Sequence, residues 1–214
     1  MPLMELVDGK LGAPAALRNE PVQARSTARL TALLDAAAAA IDELGYERLT
    51  TAMVAERAGA SIGTVYRYFP DRIAVLQALA TRNREAVLKG LERAISDRRS
   101  STWREVVLGS FDAYVAAFRT LRGFASLRGG DVLDLRPSSG GPTANSLIAE
   151  TLMNGLALRF GTDASPEALF AFENAIEVQD ALVARAFART PRGDAAFLDS
   201  GRALVLSMLA ERLE

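Results

Sequence analysis

Apolar residues in this chain of 214 residues recur at steps of three and four, and no stretch alternates convincingly with period two. Leu30, Leu33, Leu34, Ala37, Ile41 and Leu44 set the pattern, and Gly45 is placed as a C-terminal cap. The punctuation is equally regular. Thr50 or Thr51 opens a short second helix through Ala58, with Val54, Ala55 and Ala58 on its apolar face, and Gly59 ends it. Ser61 caps a third helix, which Pro70 stops after Phe69. A fourth is expected from near Asp71 to about Arg98. A fifth, opened by the capping box Thr102–Glu105, reaches about Leu121. Helices follow at about 143–160, at 166–189 behind a Ser165 cap with Pro166 at the first position, and at 194–213. Residues 1–22 read as a flexible N-terminal arm and Gly129–Pro142 as the clearest loop. The expected fold is all-α: a three-helix module over residues 23–75, then a larger helical bundle over 76–214.

Composition narrows the chemistry. Half the residues are apolar and 24% are charged, which suits a globular chain and not a disordered one. The chain has no cysteine and no histidine. That excludes disulfides, thiolate metal sites, Ser-His dyads and HExxH zinc motifs, so no catalytic residue, metal or cofactor is assigned. No run of 18 apolar residues exists, and the first twenty residues lack a signal-peptide pattern. The expectation is a cytoplasmic protein without a membrane partner.

The informative stretch is TTAMVAERAGASIGTVYRYFPDR, Thr50–Arg72. Two short helices joined by a tight turn form a helix–turn–helix, whose second helix lies in the major groove of double-stranded DNA. Val65 and Phe69, four apart, anchor that helix, while Gly63, Thr64 and Arg67 face the other way, flanked by Tyr66 and Tyr68. Gly63 allows the backbone to approach closely. Thr64 offers a hydroxyl to phosphate and a methyl to thymine. Arg67 can fork onto guanine O6 and N7. Tyr66, Tyr68, Thr51 and Ser61 suit phosphate oxygens, which position the protein without specifying sequence.

These residues resemble the DNA-binding domain of the TetR family of transcriptional regulators. The resemblance rests on Thr51, Ala58-Gly59, Ser61, Gly63-Thr64, Val65-Tyr66, Tyr68-Phe69 and Arg72, spans Ser26 to about Leu79, and continues beyond as architecture only. It implies DNA contacts from Thr51, Ser61, Gly63, Thr64, Tyr66, Arg67, Tyr68 and Arg72. Arg72 stands where lysine is usual, which keeps the charge. Ile62 stands where a polar or basic residue is frequent; periodicity turns it inward and the resemblance turns it toward a base. Partial exposure, with an apolar contact to a thymine methyl, is the expectation. Arg25, Arg29, Arg67 and Arg72 are placed to surround the groove-facing helix. Residues 1–75 nonetheless carry eight basic against nine acidic residues, so a modest salt dependence is expected.

A single short recognition helix reads few base pairs, so two modules spaced by about 34–36 Å on adjacent grooves are expected. The helix at 166–189 carries one stripe of Leu169, Phe172, Ile176, Val183 and Phe187 and a second of Ala171, Ala175, Val178 and Leu182. ALVLSMLA (Ala203–Ala210) is apolar nearly all round. Both features suit a homodimer through the last two helices, or a buried helix pair in a monomer. Trp103, Val107, Phe111, Tyr114 and Phe118 form an aromatic stripe, followed by Met153, Leu156 and Phe160. The stripe is either plain core or, as the resemblance implies, a cavity for a small, mainly apolar effector. Gln179 is either a polar hook in that cavity or an interhelical hydrogen bond, and Asn154 and Asn174 are weaker candidates. The resemblance further implies a repressor of a palindromic operator, in which the effector changes the spacing of the two reading heads through the fourth helix. Glu173, Glu177 and Asp180 share a helix face and read as solvated, or alternatively as the carboxylate or metal set of a helical enzyme. A helical scaffold that never touches DNA is the third reading.

Overall fold

A computed structural model of the chain describes residues 16–129 and 142–213, and among these there is no strand. The helices are α1 (Ala16–Leu44), α2 (Thr51–Arg57), α3 (Ile62–Tyr68), α4 (Arg72–Ser96), α5 (Trp103–Thr120), α6 (Phe124–Leu127), α7 (Ala144–Phe160), α8 (Pro166–Phe187) and α9 (Ala195–Leu213). A 3-10 turn occupies Tyr46–Arg48. Side-chain caps set most of the starts. Thr50 accepts from the Met53 N–H, Ser61 from Thr64, Asp71 from Ala74, Thr143 from Ser146 and Ser165 from Ala168. Thr102 and Glu105 form the full reciprocal capping box. At the end of α2, Gly59 takes φ 56°, while the N–H groups of Gly59 and Ala60 reach back to the carbonyls of Glu56 and Ala55. This Schellman closure turns the chain sharply into α3.

The first helix differs from expectation. Its backbone is helical from Ala16, so regular structure begins within the stretch read as an arm. Residues 1–15 lie outside the described residues, as does the 130–141 part of the expected Gly129–Pro142 loop.

Two apolar cores organise the chain. The smaller gathers Leu33, Ala37, Ile41, Val54, Val65, Phe69, Leu76 and Leu79 from α1–α4. The larger gathers Val107, Phe111, Phe118, Leu152, Leu156, Phe172, Ile176, Val183 and Leu209 from α5 and α7–α9. Fully burying each of the Val, Leu, Ile and Phe side chains is worth roughly 1.5–3 kcal/mol. The long α4 spans both, with Leu76 and Leu79 in the first and Val87 and Leu91 in the second. Ion pairs brace the first core from outside: Arg57–Glu43 at 2.6 Å joins α2 to α1, and Arg82–Asp35 at 2.6 Å joins α4 to α1. Arg159 of α7 donates to the carbonyls of Ile95, Asp97 and Ser100, closing the C-terminal end of α4.

The short α6 carries no periodic signal of its own and is the element that sequence reading missed. Phe124 lies in the larger core and Leu127 in the smaller one. Gly123, which precedes it, has φ 69°, and its N–H donates to Asp42 of α1 at 3.1 Å. A Cβ at Gly123 would stand 2.9 Å from the Ala38 carbonyl oxygen, so the corner fits α1 only as glycine.

The second stripe of α8 is covered only in part: Ala175 is fully buried, while Ala171, Val178 and Leu182 stay half-buried. A Cβ at Gly201 of α9 would stand 3.0 Å from the Phe111 ring of α5, so glycine there makes room for that ring. The face left open on α8 holds Phe170 and Ala181, and that on α9 holds Ala203, Leu204 and Ser207.

Candidate nucleic-acid interface

Val65 (0% exposed) and Phe69 (4%) plug α3 into the smaller core, which fixes its rotation about its own axis. The opposite edge faces outward. Ser61, Ile62, Gly63, Tyr66 and Arg67 are exposed and Thr64 is half-buried. Ile62 is 44% exposed and Tyr66 53%, so both present apolar surface to solvent. Ile62 thus has the intermediate exposure expected between its two directional signals. At Gly63 an added Cβ would have the Ser61 hydroxyl, 3.8 Å away, as its nearest contact, so the surface there is open.

The hydroxyls of this edge are joined in pairs. Ser61 and Thr64 share a hydrogen bond at 2.9 Å, and Ser61 also accepts from the Thr64 N–H at 3.1 Å. Thr51 donates to the Tyr66 hydroxyl at 3.4 Å, linking α2 to α3. The Tyr68 hydroxyl meets Ser26 of α1 at 3.2 Å. That bond first, and the Arg67 and Arg29 charges with it, hold the Tyr68 phenol below its ordinary pKa. The Arg67 guanidinium lies over the Tyr68 ring, 5.2 Å from its centroid. Arg25, Ser26, Arg29, Arg67 and Tyr68 line a trough of about 760 Å³ between α1 and α3. Ser26 is a residue that sequence reading did not single out, because its role depends on α1 crossing beside α3. Arg72 is placed elsewhere: it is half-buried and donates to the Glu47 carbonyl at 2.7 Å, on the 3-10 turn.

The expected effector residues lie together in the larger core. Val107, Phe111, Tyr114, Phe118, Met153, Leu156 and Gln179 are buried there, and Trp103 packs half-buried at its margin. Tyr114, Phe118 and Phe124 make edge-to-face contacts at 5.1–5.9 Å, and Phe187 stacks on Phe118 at 5.0 Å. Asn154 is exposed, and the half-buried Asn174 amide donates to the Phe170 carbonyl on its own helix. The supposed carboxylate face separates. Glu177 is exposed, whereas Asp180 turns inward, accepting from the Tyr114 hydroxyl at 2.5 Å and pairing with Arg128 at 3.0 Å. The solvated-face reading therefore fails for Asp180, because α8 rotates that position toward α5 and α6. Among the described residues no cluster of three metal-ligating side chains forms, and no helix is long and apolar enough to cross a membrane.

An outward recognition edge on a core-anchored short helix, carried by an all-α chain, defines a helix–turn–helix DNA-binding protein. Residues 33–79 match the family model of bacterial regulatory proteins of the tetR family, and residues 101–213 match the tetracyclin repressor-like C-terminal domain. The chain belongs to the TetR family of transcriptional regulators, which are DNA-binding regulators and not enzymes. It is similar to the HTH-type transcriptional regulator BetI of Klebsiella pneumoniae (strain 342), with 36% identity over 84 residues, 37% of this chain and 43% of that protein. The chain thus spans less than half the length of the curated relatives it matches. A TetR-family transcriptional regulator from Streptomyces coelicolor superposes with TM-score 0.73 and 32% identity, covering 86% of this chain and 99% of that one. The transcriptional regulator FadR from Bacillus subtilis, solved in complex with stearoyl-CoA, shares the fold with TM-score 0.63 at 18% identity, over 83% of this chain and 98% of its own.

Proposed function

We propose that this regulator is a repressor that binds a palindromic operator as a homodimer and is released by a small, mainly apolar effector. Residues 23–75 form the reading unit and residues 76–214 the effector-binding and dimerisation unit. The observation that carries the reading is the outward edge Ile62–Gly63–Thr64–Tyr66–Arg67 on a helix whose inner face is locked into a core. Arg67 forks onto a guanine, Ile62 and the Thr64 methyl meet thymine methyls, and Thr51, Ser61, Tyr66 and Tyr68 grip phosphates. Arg25 and Arg29, across the trough from Arg67, add charge to the same strand. Arg72 supports this set by fixing the 3-10 turn, and reaches phosphate only if it leaves the Glu47 carbonyl.

Dimerisation is supported by Phe170 (67% exposed) on α8 and Leu204 (45% exposed) on α9, large apolar groups left open on the last two helices. Together they form a face suited to a four-helix contact between two copies. The effector enters among Trp103, Val107, Phe111, Tyr114, Phe118, Met153 and Leu156, with Gln179 as its polar hook. The stearoyl-CoA complex of the Bacillus subtilis relative supports an apolar ligand in a bundle of this shape.

The test is selection of binding sites from random duplexes with purified protein. The expected winner is a palindrome with half-sites about one turn apart. An asymmetric site contradicts dimeric readout. Raising the salt concentration is expected to release fewer than four counterions per protomer, and a steeper slope refutes the charge reading.

A further inference from the structure

Where α4 and α6 pass between the two cores, one residue that belongs to neither core touches elements of both. Arg128 follows directly on α6, whose Phe124 sits in the bundle core and whose Leu127 sits in the core of the reading unit. Its guanidinium pairs with Asp180 of α8 at 3.0 Å. Its carbonyl accepts from the Asn83 side-chain amide of α4 at 3.1 Å. Each of these partners is itself held. Asp180 accepts on its other oxygen from the Tyr114 hydroxyl of α5, and Asn83 is 97% buried in the stretch of α4 that passes between the cores. The backbone of Arg128 has φ 46° and ψ −132°, a conformation that residues with a side chain rarely adopt. Contacts at both ends of the residue must hold it there.

We infer that Arg128 is a positioning residue: it ties Asp180 and Tyr114 of the effector bundle to Asn83 of α4 and so sets where the reading head sits. The ion pair is only partly exposed, at 24% for the Arg128 side chain and 16% for Asp180, so solvent screens it weakly. Whatever alters the Tyr114–Asp180 end is thereby felt at Asn83, and the Gly123–Asp42 bond carries the same corner onto α1.

The measurement that stands apart from DNA binding is hydrogen exchange on the full chain. Asp180→Asn removes the charge inside the bundle while keeping an acceptor for Tyr114. It is expected to speed exchange about tenfold in α6 and in α1 between Leu33 and Leu44, beyond its own neighbours. Acceleration confined to α5 and α8 overturns the inference. The second measurement rests on the repressor reading and uses the duplex recovered by selection with the wild-type protein. Asp180→Asn and Asn83→Ala, whose side chains meet only through Arg128, are each expected to weaken binding about fivefold, with the double variant no weaker than either. Additive losses, or none in a protein that binds the duplex, overturn it. A chain that selects no duplex fails the repressor reading alone, and exchange still decides the tie. If Asp180→Asn does not fold, Tyr114→Phe, which deletes one hydroxyl, takes its place with the same outcomes.

Discussion

Replacing Gly123 with alanine isolates the fit of the α5–α6 corner against α1. Gly123 and Gly161 share φ 69°, and both sit at helix ends. A methyl group at either position carries the left-handed cost of about 1–2 kcal/mol. At both, the stiffer unfolded chain offsets about 0.4–1 kcal/mol of that. The surroundings differ. A Cβ at Gly161 meets nothing within 4 Å, whereas at Gly123 it stands 2.9 Å from the Ala38 carbonyl oxygen and 3.2 Å from the Ile41 Cβ. Those are backbone and a branch point in the last two turns of α1, so neither swings aside as a long side chain would. Forcing a methyl group into such a site costs about 1–3 kcal/mol. Gly123→Ala is therefore expected to be less stable than Gly161→Ala by that margin, read from urea unfolding followed by far-ultraviolet circular dichroism. Protein concentration is matched, because the proposed dimer would link stability to it. Equal midpoints for the two variants would refute the claim that the corner is packed tightly on α1.

Three further outcomes follow from the geometry. Arg67→Ala is expected to lower operator affinity by about 1–3 kcal/mol and to relax preference at one position per half-site; repeating the site selection checks it, and an unchanged site removes Arg67 as the base reader. Asp97 titrates at about 2 instead of 3.8, chiefly because the Arg99 side chain, and then its backbone N–H, bond the carboxylate. A depressed carboxyl stabilises the fold fully above its ordinary value, and that contribution is lost as pH falls through about 2; nuclear magnetic resonance should show Arg99→Ala moving Asp97 back toward 3.8. Leu204→Glu, on a surface position where folding changes by no more than about 0.5 kcal/mol, is expected to sediment as a monomer with its helicity intact. A persisting dimer would move the interface away from α9.

Local chemistry was legible in the chain. The caps at Thr50, Ser61, Asp71, Thr102 and Ser165 each bond the backbone next to them, so a few adjacent residues suffice to specify where a helix starts. The inward Val65 and Phe69 and the outward Gly63 and Arg67 followed from the helical repeat alone, since α3 has a single core to face. That repeat sorts residues around one axis and leaves open what stands opposite. It therefore grouped Asp180 with Glu173 and Glu177, whereas Arg128, 52 positions earlier in the chain, meets Asp180. The pairing of Ser26 with Tyr68, 42 positions apart, was equally out of reach. Sequence determined every helix but α6 and the apolar side of each; only tertiary packing decided where α6 sits and which charges and hydroxyls became neighbours, because those contacts join segments whose separation no local pattern records.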